Sequence, residues 1–105
     1  MKIKIRETQI QLAILHYLKA IGAYAGKCKT MGVKRGNRFT FDIYLFRGYP
    51  DLCYFYNHKM GFIEVKSGTN KQTPEQKIFQ SYCLDVGIKY ILAYSVQDVI
   101  DNINL

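Results

Sequence analysis

The sequence predicts a small α/β domain, a mixed β-sheet flanked by helices in the order α-β-β-β-α-β-α. Three observations predict it. Apolar residues recur at helical spacing near the N-terminus, and two short apolar runs flank a polar turn at 57–61. A Thr-Pro-Glu-Gln helix start at 73–76 is then followed by one more apolar strand. With 105 residues, 49% of them apolar, the chain can bury one core and is expected to form a single domain over residues 1–105.

Taken in order, Ile10, Ile14, Leu18 and Ile21 place a helix over about Glu7 to Ile21, closed by Gly22. Thr8 and Gln11 offer a competing capping box that would leave Glu7 just outside it. Ala23 to Lys29 reads as the first strand. Thr30 to Arg38 reads as a basic, glycine-containing loop, and Arg38 to Phe46 as an irregular extended segment that Arg47-Gly48-Tyr49-Pro50 breaks. Asp51 to Tyr56 and Phe62 to Lys66 form a hairpin whose turn is Asn57-His58-Lys59-Met60-Gly61. Ser67 to Gln72 is a polar loop. Thr73 as N-cap, Pro74 at the first helical position and Gln76 at the third make a capping box, with the helix running to about Asp85 and ending at Gly87. Lys89 to Tyr94 is a buried strand, and Ser95 caps a last helix through Asn102.

Charge is unevenly placed. Residues 1–50 hold ten Lys or Arg against Glu7 and Asp42, a balance of +8, while residues 51–105 hold five against six, a balance of −1. A basic first half suits a polyanion, because phosphate neutralisation releases counterions. Cys28, Cys53 and Cys83 are odd in number and widely spaced, which argues against a disulfide framework or a zinc site. His16 and His58 are isolated and read as structural or solvent-facing. No apolar run approaches the ~20 residues that span a bilayer, so the expectation is a soluble, cytoplasmic protein.

The chemistry is concentrated in Pro50-Asp51 and Glu64-Val65-Lys66. A hairpin turn centred on His58 and Lys59 would set Asp51 opposite Lys66 and Cys53 opposite Glu64. Asp51, Glu64 and Lys66 would then share one face at one end of the hairpin. A one-residue slip would send Asp51 to the other face. Two carboxylates suit Mg²⁺ or Mn²⁺, which prefer oxygen ligands and retain several waters. Asp51 and Glu64 are the candidate direct ligands, with the backbone carbonyl of Val65 as a third, and Lys66 would orient a water and favour its hydroxide form. Glu7 lies on the stripe of Ile10 and Ile14, so it points inward and would make a second metal site an option. The plain alternative is an acid favourably placed at a helix N-terminus. Gln76 is explained by its capping box, yet it also lies near the sheet end.

Gly48-x-Pro50-Asp51, Glu64-Val65-Lys66, Thr73-Pro74-Glu75-Gln76 and the leading helix with Glu7, Ile10, Gln11 and Tyr17-Leu18 together resemble the VRR-NUC family (virus-type replication-repair nucleases) of the PD-(D/E)xK superfamily, over about residues 6–94. The resemblance implies a restriction-endonuclease-like core and metal-dependent DNA cleavage. It implies metal ligation by Asp51 and Glu64, a catalytic Lys66, and supporting roles for Glu7 and Gln76. It also implies a stand-alone member of bacterial or phage origin, a homodimer acting on four-way (Holliday) junctions, with flap or nick cleavage as the alternative within the class. A catalytically silent nucleic-acid-binding module is the reading from another class. Lys27, Lys29, Lys34, Arg35, Arg38 and Arg47 are the candidate phosphate contacts.

Overall fold

A computed structural model describes residues 5–28, 33–35, 38–40 and 46–105, and over 33–35 and 38–40 only the backbone. The elements are α1 (Glu7–Ala20), β1 (Tyr24–Lys27), β2 (Val33–Arg35), β3 (Arg38–Thr40), β4 (Leu52–Tyr56), β5 (Lys59–Val65), α2 (Pro74–Asp85), β6 (Lys89–Ala93) and α3 (Val96–Asn102). The main sheet has the order β1-β4-β5-β6. Its first two pairings are antiparallel and the β5–β6 pairing is parallel, reached by the α2 crossover. This is the mixed sheet and the element order that the sequence predicts. The β2–β3 pair is an addition, a separate antiparallel ribbon where a loop and an irregular segment were expected. Among the described residues, no helix is long and apolar enough to cross a membrane.

Local chemistry sets each boundary. The Arg6 N–H at the start of α1 donates to Gln9 Oε1 at 2.9 Å, so the Thr8–Gln11 capping box is not the one formed. Both α1 and α2 end in the same way. Gly22 and Gly87 take φ of 86° and 76°, and the next residue bonds back five positions, Ala23 N–H to Leu18 O and Ile88 N–H to Cys83 O. At α3, Ser95 holds the N-cap position without a side-chain bond. Asp98 instead accepts the Tyr94 N–H at 2.8 Å.

The core lies between the sheet and the pair α1 and α3. Ile10, Ile14 and Leu18 of α1 pack with Leu52, Tyr54, Ile63, Val65, Ile91 and Ala93 of the strands and with Val99 and Ile103. The opposite sheet face takes α2 through rings: Phe62 of β5 meets Phe79 edge-on at 5.3 Å, and Tyr49 and Phe46 close around Phe79. By strand alternation Glu64 shares this second face with Phe62, while Ile63 and Val65 face the core.

The hairpin differs from expectation in a specific way. Its turn is Asn57-His58, both at positive φ (54° and 65°), the geometry of a two-residue primed turn, and β5 starts at Lys59. The register is Cys53 with Phe62 and Leu52 with Ile63, two residues from the expected one. Gly61 therefore lies within β5 and not in the turn. A Cβ there would fall 2.5 Å from the ring of Tyr54, so this glycine makes room for a buried tyrosine.

Candidate active site

An offset of two residues leaves every side chain on its face, whereas an offset of one would have inverted them. Continuing the observed ladder by one step sets Asp51 across from Glu64 at the end of the β4–β5 hairpin. The Asp51 carboxylate is tied there directly: Oδ2 accepts the Val65 N–H at 2.8 Å. Asp51 is 6% exposed and Glu64 1%. Lys66, leaving β5 with its N–H on Ala93 O, holds Nζ 3.8 Å from Glu64 Oε2, with its side chain 11% exposed. Two carboxylates and an ammonium are thus gathered in a poorly hydrated place, where charges interact strongly and their burial costs stability.

The fit to a hard cation follows from that donor set. Asp51 and Glu64 supply carboxylate oxygens from adjacent strands, as a Mg²⁺-type ion requires. Among the described residues, no three His, Cys, Asp or Glu side chains gather where a metal could be held, so Glu7 stands apart from the pair. Glu7 Oε2 instead accepts from Asn70 Nδ2 at 3.3 Å, and the Tyr94 hydroxyl fixes the Asn70 backbone by donating to its carbonyl at 2.6 Å. The loop after Lys66 is thereby linked to the start of α1. That link escaped the sequence reading, although Asn70 in a polar loop just after Glu-x-Lys was the available signal.

Gln76 is buried and performs its capping role in full. Its N–H donates to Thr73 Oγ1 at 3.2 Å, and its Oε1 accepts the Thr73 N–H at 2.9 Å. What brings this helix start to the acids is Gly48, whose φ is 72°. A Cβ at Gly48 would lie 2.5 Å from Gln76 N and 2.6 Å from Glu75 O. The chain before Pro50-Asp51 passes against the first turn of α2, and only glycine allows it to do so.

Other groups border the acids unforeseen. Tyr90, beside Phe62 on β6, has its phenol pushed up to about 12. Burial is the main cause, the bond from Gln72 opposes it, and the charges of Glu64 and Asp51 add to it. Cys28, whose N–H donates to Asp51 O at 2.8 Å, has its thiol pushed up to about 12 by burial, with Cys53 and Asp51 adding to the rise. Burial also raises the Cys53 thiol, and its bonds to Cys28 and the Tyr54 backbone pull it partly back. The reactive species is the thiolate. Iodoacetamide at pH 8 is therefore expected to label Cys28 at least about a hundredfold more slowly than a free thiol. A mass-spectrometric time course checks this, and labelling at the free-thiol rate would contradict it.

Of the candidate phosphate contacts, Lys27 ends β1 and Arg47 precedes Gly48, both exposed. Lys34, Arg35 and Arg38 lie on the β2–β3 ribbon, with Arg35 paired to Arg38 in register. Lys29 lies outside the described residues.

No family model matches the chain, and no curated protein matches it significantly. Solved structures do. One, described as a VRR_NUC domain, superposes with a TM-score of 0.66 at 21% identity over 90% of this chain and 94% of that one. Another, Hjc from the archaeal hyperthermophile Archaeoglobus fulgidus, described as a Holliday junction resolvase, superposes with a TM-score of 0.56 at 17% identity over 84% of this chain and 67% of that one. The chain has the fold of these two structures.

Proposed function

We propose that this chain is a divalent-metal-dependent DNA endonuclease that cleaves branched DNA, four-way junctions first, as a homodimer. The observation that carries the reading is the joining of Asp51 to the Val65 N–H with Glu64 buried across from it and Lys66 Nζ 3.8 Å from Glu64. Asp51, Glu64 and the Val65 carbonyl would hold the ion, Mg²⁺ or Mn²⁺. When bound, such an ion supplies Lewis acidity to a phosphoryl oxygen and to a water. Lys66, with Nζ beside Glu64, would orient a water there and favour its hydroxide form. The Asn70 bond ties Glu7 to the loop that follows Lys66, and the Gln76 helix start packs against Gly48, just before Pro50-Asp51. A silent binding module has no use for two buried carboxylates, since each costs stability unless its charge is employed.

The four-way junction is favoured by the resolvase likeness and by symmetry. A junction has a two-fold axis, and its resolution needs paired cuts that a two-fold dimer supplies. Flap or nick cleavage is the alternative within the class. The test is incubation with junction, flap and linear duplex DNA in Mg²⁺ or Mn²⁺, with light scattering alongside. Paired symmetric nicks on the junction and a dimer mass are expected. Flap cleavage alone would redirect the reading. No cleavage of any substrate, or full cleavage by Lys66→Ala, would overturn it.

A further inference from the structure

Among the described residues, half of one sheet face carries no covering element. On the side away from α1 and α3, α2 and its rings cover Phe62 and Tyr90, but none of the described residues covers β1 and the near edge of β4 in the same way. Tyr24 and Phe55 are direct partners in the β1–β4 register. Their rings lie 6.1 Å apart at 35° and are 80% and 51% exposed. Below them the same face continues through Gly26 and Cys53 to Cys28, lining a groove of about 240 Å³. The space above Gly26 is open, since a Cβ built there meets nothing within 4 Å. The groove runs from the aromatic pair to Cys53 and Cys28, and the Cys28 N–H donates to Asp51 O at 2.8 Å. It therefore begins at an aromatic pair and ends next to the backbone of Asp51.

We propose that this groove binds an unpaired DNA strand, with Tyr24 and Phe55 stacking a base while the strand's backbone runs toward Asp51. Every base has a π-face, so an exposed aromatic platform holds single strands whatever their sequence. Charge favours this occupant over a second copy of the chain, which carries the same net +7. Lys27 is the sole charged side chain on β1 and β4, so nothing on these strands repels phosphate. The basic β2–β3 ribbon follows directly after β1 in the chain. The groove extends the nuclease reading to substrate class: branched DNA whose arms fray, or which carries a single-stranded tail, presents such a strand beside the scissile bond.

The experiment measures binding without chemistry. Fluorescein-labelled oligothymidylate and a blunt duplex are titrated with the full chain in EDTA and followed by anisotropy. Two variants are compared with wild type, the double variant Tyr24→Ala/Phe55→Ala and Gly26→Gln, which fills the groove and keeps both rings. Each is expected to weaken oligothymidylate binding at least about tenfold and duplex binding by less than about twofold. Unchanged oligothymidylate binding, or an equal loss on both DNAs, overturns the proposal. So does a change in light-scattering mass, which would make the face a protein interface. A chain that cuts nothing yet shows the differential loss refutes the nuclease reading and keeps the groove. A chain that cuts but lacks the differential loss does the reverse.

Discussion

Replacing Gly48 by alanine is expected to lower the melting temperature by about 10–30 °C and to abolish cleavage. Two costs combine. The residue sits at φ 72°, which disfavours any Cβ, and that Cβ would overlap the backbone of Glu75 and Gln76, which has no flexible end to swing away. Together these amount to about 2–4 kcal/mol, and for a domain of this size each kcal/mol shifts the midpoint by roughly 4–8 °C. Gly22 is the internal control. Its φ is 86°, but a Cβ there meets nothing, so Gly22→Ala bears only the backbone strain of about 1 kcal/mol. Thermal unfolding followed by circular dichroism compares the two. Equal midpoints for both variants would show that the packing of α2 on Gly48 is unimportant.

Asp51→Asn is expected to reduce cleavage by about a thousandfold or more while leaving the fold at least as stable. The amide oxygen of asparagine can still accept the Val65 N–H, so the hydrogen bond that fixes residue 51 survives. What is removed is a negative charge beside buried Glu64, and its loss relieves electrostatic strain. A structural role alone would predict the opposite pattern, a drop in stability with little loss of rate. Single-turnover cleavage and the unfolding midpoint, measured on the same preparation, separate the two. Retained cleavage would remove Asp51 from the mechanism.

The outcome for each element shows what a sequence alone conveys. The α1 stripe and the Thr73–Gln76 box were legible because both are local: helical spacing and a four-residue cap need no knowledge of the rest of the chain. The meeting of Asp51, Glu64 and Lys66 was legible because face parity survives an even error in register. The register itself was not, since Gly61 looks like a turn residue until Tyr54 is seen to occupy the space beside it, and Asn57-His58 lacks the glycine that marks most primed turns. The docking of Gly48 on α2, the bond from Asn70 to Glu7 and the nearness of Cys28 to Asp51 each join residues far apart in sequence. Such pairings depend on topology, and no periodicity encodes them.

The bond from the Val65 N–H to Asp51 has a mechanical consequence. It makes the second acidic motif's own backbone the clamp on the first acid, so the separation of the two carboxylates is a property of one fifteen-residue hairpin ladder. A shift of α1, α2 or α3 would leave that separation as it is, since no helix supplies either carboxylate or the bond that joins the two motifs.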